Sequence, residues 1–115
     1  MNYVDGFVAA VPTAKKDEYK KFALDAAAVF KEHGAMRVVE CWGEDVPDGK
    51  VTSLPMAVKL EQNETVVFSW IIWPNKEARD TGMEKSKNDS RMQSSDMPFD
   101  GKRMIFGGFE MMIDE

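Results

Sequence analysis

Apolar residues recur along this chain with two periods in turn, and their alternation predicts the order of elements. Residues 2–10 (NYVDGFVAA) alternate as a strand, with Tyr3, Asp5, Phe7 and Ala9 on one face and Val4, Gly6, Val8 and Ala10 on the other. Pro12 ends that run. From Lys15 to His33 the spacing becomes three and four, and Tyr19, Phe22, Ala23, Ala26, Val29 and Phe30 form the stripe of an amphipathic helix. Gly34 is placed to end it as a left-handed C′ residue. Met36–Trp42 is a second strand, with Met36, Val38, Glu40 and Trp42 on one face and Arg37, Val39 and Cys41 on the other.

Residues 43–53 (GEDVPDGKVTS) carry the turn chemistry of Pro47 and Asp48-Gly49. Residues 54–60 (LPMAVKL) fit either a helical turn opened by Pro55 or a short strand, and 61–64 form a turn. The strongest strand signal is 65–73 (TVVFSWIIW), stopped by Pro74. Asn75 is an N-cap for a helix over 76–87, in which Gly82 costs about 1 kcal/mol relative to Ala. Residues 88–101 read as loop and 102–113 as a last strand, where Gly107-Gly108 marks a bulge or a close backbone approach.

The order is β-α-β-β-α-β: an α+β class chain, a ferredoxin-like split βαβ with helices on one face of an antiparallel sheet, expected as one domain over residues 1–115. Strand 65–73 changes this picture, because Val66, Phe68, Trp70 and Ile72 on one face and Val67, Ile71 and Trp73 on the other are all apolar. Both faces need cover. Helices pack on one only. A second copy of the chain is the simplest cover for the other, so a homodimer with sheets face to face is expected.

Charge and composition narrow the partners. The net charge is -5, and the basic residues are interspersed with acids, as in Lys15-Lys16-Asp17-Glu18, which reads as a solvated helix surface and argues against nucleic acid. No run approaches the roughly 18 apolar residues of a membrane span. The N-terminus has no basic n-region, and Asp5 and Gly6 interrupt its apolar residues, so no signal peptide is expected. The single cysteine excludes an internal disulfide and fits a reducing cytoplasm.

Several stretches together carry a family likeness: Tyr3-Val4-Asp5-Gly6-Phe7, Val39-Glu40-Cys41-Trp42, the loop from Asp45 to Val51, Val66-Val67-Phe68-Ser69-Trp70, and Met97–Ile105 followed by Gly107-Gly108-Phe109-Glu110. The chain resembles the bacterial DUF1428 family, the YbaA-like proteins, over almost its whole length. The resemblance implies a dimeric α/β-barrel, the superfamily that also holds the antibiotic-biosynthesis monooxygenases. It implies no activity, because the family's function is unknown. One departure is Asp89-Ser90-Arg91, where the family tends to have Asp-Pro-Arg. Loss of that proline is expected to loosen the helix exit and leave Ser94-Ser95-Asp96 mobile.

The candidate chemistry centres on Glu40, the carboxylate inside an apolar strand. In a pocket beside Met36, Val38 and Trp42 it would be a general base with a raised pKa. On a sheet rim it would be a structural charge paired with Arg37, Arg103 or Lys102. Trp42, Trp70 and Phe7 are candidate pocket walls, and Arg37 and Arg103 candidate polar handles for a ligand. The alternative for the aromatics is core or dimer interface. His33, the only histidine, lies where it meets the last helix carbonyls. With no second histidine or cysteine pair, no metal site is expected, and no cofactor fingerprint is present. Cys41 reads as a small apolar residue, since Glu40 and Glu44 beside it disfavour a thiolate.

Two function classes remain. One is a small-molecule binding protein or cofactor-independent enzyme of monooxygenase or isomerase type. The other is a structural or interaction module without activity. A cavity of at least roughly 300 Å³ beside Glu40 favours the first and a filled core the second.

Overall fold

The computed structural model describes residues 1–93 and 96–115. Strand β1 (Tyr3–Pro12) leads through a 3-10 turn, Thr13–Lys15, into helix α1 (Lys16–Glu32). Then follow β2 (Arg37–Trp42), a single turn α2 (Leu54–Ala57), β3 (Glu64–Trp73), α3 (Lys76–Lys87) and β4 (Ile105–Glu110). The sheet order is β2-β3-β1-β4, with every neighbouring pair antiparallel. This is the ferredoxin-like split arrangement read from the sequence.

Local chemistry sets the boundaries. α1 carries Asp17 and Glu18 in its first turn and Lys31 in its last, complementing the helix dipole. It ends in a Schellman pattern: the Gly34 N–H donates to the Lys31 carbonyl (3.2 Å) and the Ala35 N–H to that of Phe30 (3.0 Å). Gly34 has φ +112°, as expected of a C′ glycine. The ambiguous segment 54–60 resolves as a helical turn because the Ser53 hydroxyl accepts the Met56 N–H (3.1 Å) ahead of Pro55. The Asn75 side chain caps α3 by accepting the Ala78 N–H (2.8 Å), as its position predicts. β4 begins later than expected, because the Asp100 side chain accepts the Lys102 N–H (3.0 Å) and winds Gly101–Arg103 into a 3-10 turn.

The register sorts the strands into two faces. Glu40, Ser69, Phe7 and Phe106 form one row across the sheet, on the side the helices cover. That side buries Val11, Tyr19, Ala23 and Val67 at one end and Ala35, Ile71 and Trp73 at the other. Phe99 packs edge-on against Tyr19 and Phe22 and closes the first cluster. On the opposite side the connection between β2 and β3 folds back, and Val58 with Val46 and Leu60 covers Val8, Ala10 and Val66. The chain therefore covers part of its second face itself. The rest, around Phe68, Trp70, Ile105 and Phe109, stays open.

Two expectations change in the folded chain. Gly107 and Gly108 keep a regular ladder with Gly6 and Asp5, so there is no bulge. The close approach is by side chains: a Cβ on Gly108 would lie 2.1 Å from Arg79 Nη2 and 2.7 Å from the Tyr3 hydroxyl. The helix exit that lacks the family's proline is tied down by charge instead. Asp89 accepts the Arg91 N–H (3.0 Å), its carboxylate meets the His33 Nε2 (3.0 Å), and Arg91 also reaches Glu32. The Arg91 guanidinium, then His33 and the Arg91 N–H, hold the Asp89 carboxyl well below its ordinary range. The expectation for Ser94 and Ser95 falls outside the described residues.

Candidate functional site

A groove of about 390 Å³ runs between α1 and the edge strand β2. Helical periodicity places Lys16, Tyr19, Lys20, Ala23, Leu24 and Ala27 along its α1 wall. Strand alternation brings Val38, Glu40 and Trp42 to the facing wall, and Val67 of β3 lies beneath. Ala23 and Ala27 hold the helix wall back, because neither side chain extends past its first carbon. The Tyr19 hydroxyl donates to Glu40 Oε1 at 2.6 Å, joining the two walls. Lys16 Nζ stands 5.4 Å above the centre of the Trp42 ring.

Glu40 is solvent-exposed, since β2 is an edge strand, yet apolar atoms crowd the carboxylate on its inner side. That desolvation pushes its pKa upward, against the hydrogen bonds from Tyr19 and Ser69 that favour the charged form. The exposed side limits the effect, so Glu40 remains accessible to solvent and to anything in the groove. Burial of Tyr19, and then its bond to Glu40, push the phenol far above its ordinary value. Tyr19 thus keeps its proton and is a fixed donor to Glu40.

The residues singled out by sequence fall in different places. Glu40 and Trp42 meet in the groove. Phe7 lies on the same face but two strands away, packed with Ala35, Ile71 and Trp73 and 6.3 Å from Phe106. Trp70 and Arg37 belong to the opposite face, in register with Val39 and Ile72. Trp70 there packs against Phe68, with the rings tilted and their centres 5.6 Å apart. Arg103 grips Glu64 with two hydrogen bonds (2.8 and 2.7 Å) and also reaches Lys59 O and Asp100, far along the chain from Glu40. Its bonds, first among the causes, draw the Glu64 pKa down. Glu40 accordingly pairs with a tyrosine and not with Arg37, Arg103 or Lys102. Among the described residues no three His, Cys, Asp or Glu side chains converge as a metal site would require.

Sequence reasoning missed Tyr19 as a site residue, reading it only as stripe. The available signal was its hydroxyl, which needs a partner once the ring is buried. It also missed a buried ion pair. Asp5, 5% exposed, accepts the Trp73 indole N–H (2.9 Å) and the Arg79 Nε–H (3.0 and 3.1 Å), while the guanidinium lies 4.8 Å over the Tyr3 ring.

Fold and groove define a class: a ferredoxin-like α+β protein with a solvent-open apolar groove between its first helix and an edge strand. The chain belongs to the DUF1428 family, whose model, described as "Protein of unknown function (DUF1428)", matches residues 2–101. It is 62% identical to "Uncharacterized protein YbaA" of Escherichia coli strain K12 over 117 residues, covering 100% of both chains. The identity to the protein of that name from Shigella flexneri is also 62%, with the same coverage. The likeness read from the motifs thus holds across the whole chain. No helix among the described residues is long and apolar enough to cross a membrane.

Proposed function

We propose that this chain is a small-molecule binding protein that works as a homodimer in the cytoplasm, with Glu40 as its reactive group. The observation that carries this reading is the 2.6 Å Tyr19–Glu40 hydrogen bond that joins the two walls of an open apolar groove. A carboxylate held by a donor, with a raised pKa and access to solvent, is suited to take a proton from a ligand and return it. Isomerisation by such a transfer balances without a co-reactant; a monooxygenase-type reaction would add dioxygen as co-substrate. Trp42 forms the aromatic wall. Phe7, Trp70, Arg37 and Arg103 support the fold or the assembly in this reading, not the ligand.

The dimer would use the open sheet face. Phe68 is 47% exposed and Phe109 61% exposed there, beside half-buried Trp70, an apolar patch that a second copy in face-to-face contact would cover. Such a pair of sheets would make the dimeric α/β-barrel. Size-exclusion with light scattering at micromolar concentration should return the mass of two 13.0 kDa chains, and Phe68→Glu should shift it to one. A wild-type monomer would remove the dimer from the proposal.

Native mass spectrometry on protein purified from its own host tests the ligand. The expected spectrum is a dimer with extra retained mass, and Glu40→Gln should lower retention at least tenfold while circular dichroism shows an unchanged fold. A clean dimer for both proteins would instead favour an interaction module, the second reading, to which the exposed Phe68 and Phe109 also lend weight.

A further inference from the structure

The charges around the groove identify a chemical class of ligand, an inference that rests on the groove being a ligand site. We propose that the groove between α1 and β2 takes a small, flat organic anion: its carboxylate at Lys16 and Lys20, its apolar body against Trp42, Leu24 and Ala23, and its polar hydrogen at Glu40.

Lys16 and Lys20 are one helical turn apart on the same face of α1, and both border the groove. Among the described residues neither forms an ion pair, whereas Lys21 meets Asp25 at 3.2 Å and Lys76 meets Asp80 at 2.9 Å. Of the acids beside Lys16 and Lys20 on α1, Asp17 does not line this groove and Glu18 lines another one, so Glu40 is the carboxylate that lines the groove with them. In a chain of net charge -5, two lysines on one wall of the groove that form no ion pair among the described residues would draw an anion to it. The position of Lys16 over Trp42 keeps a positive charge beside the aromatic wall.

Orientation follows from Glu40. A ligand carboxylate placed inward would face this carboxylate across a groove with apolar walls, and the repulsion would be poorly screened. Turned outward, it meets the lysines, and the inner end presents a hydroxyl or an acidic C–H to Glu40. An amine would be attracted to Glu40 but repelled by the two ammonium groups on the α1 wall. The volume of about 390 Å³ is near the lower end of ligand sites, which suits a one- or two-ring molecule.

The test uses 1-naphthoate and its neutral counterpart 1-naphthamide, titrated separately into the ¹⁵N-labelled full chain. Naphthoate should shift amides over residues 19–27 and 38–42 and bind at least tenfold tighter than naphthamide. Lys16→Gln/Lys20→Gln should abolish that difference; both lysines are exposed, so the variant keeps the dispersed spectrum of the fold. Equal affinity of the two probes in the groove would overturn the anion class and leave the binding groove standing. No groove shifts from either probe at millimolar concentration, or shifts confined to Phe68, Trp70 and Phe109, would overturn both.

Discussion

Asp5→Ala is expected to destabilise the protein by about 3 kcal/mol, the lower end for breaking a buried ion pair, and to lower Tm by on the order of 12 °C. The carboxylate is the shared acceptor of the Trp73 indole (2.9 Å) and the Arg79 guanidinium (3.0 Å). Without it, an indole N–H on a fully buried ring and a cation with 22% side-chain exposure lose their partner together. Arg79 keeps Asp80 at 2.8 Å and its place over Tyr3, which is why the lower end applies. Asp5→Asn retains an acceptor for Trp73 and loses only the charge, so about half the effect should remain. Urea unfolding with an unchanged m value measures both variants. A loss below roughly 1 kcal/mol for Asp5→Ala would show that Arg79 and Trp73 find other partners without difficulty.

Gly82→Ala reverses the sign that helix propensity assigns to it. By propensity alone, alanine in α3 gains about 1 kcal/mol. In the fold, a Cβ at Gly82 would lie 2.3 Å from Trp73 Cζ3 and 2.5 Å from the His33 carbonyl oxygen. Neither neighbour can move cheaply. Trp73 has no exposed surface and is held by Asp5, and the His33 carbonyl is backbone at the end of α1. Overpacking of this kind costs about 3 kcal/mol, and the net effect should be destabilising. Thermal unfolding followed by circular dichroism decides it, and a variant more stable than the parent would contradict the contact. The glycine that reads as a flaw in a helix is what allows α3 to lie on Trp73.

The same contrast runs through the candidate site. Glu40 and Trp42 were legible together because residues two apart on a strand share a face, and that rule needs no partner strand. Arg37, a candidate handle for the same ligand, lies on the opposite face from Glu40 by strand alternation alone, whereas Trp70, a candidate wall, faces away because β3 pairs so that it lies beside Val39. That relation depends on register, which the pattern of either strand alone leaves open. Tyr19 needed the rotation of α1 over β2, and Arg103 needed the meeting of β3 with the Gly101–Arg103 turn. The lysines read as a solvated surface, and two of them do contact solvent, but at the mouth of a groove that no local pattern encodes.

By itself, then, the sequence determined the element order, the caps at Gly34 and Asn75, the apolar character of both faces of β3, and the presence of Glu40 on an apolar strand face. These depend on interactions within a few residues, or on the periods of helix and strand. Only the tertiary structure decided which side chain partners Glu40, how much of the second sheet face the β2–β3 connection covers, and why Gly82 and Gly108 lack side chains. Those outcomes rest on contacts between segments far apart in the chain, where angstrom-scale placement of one element against another decides what fits.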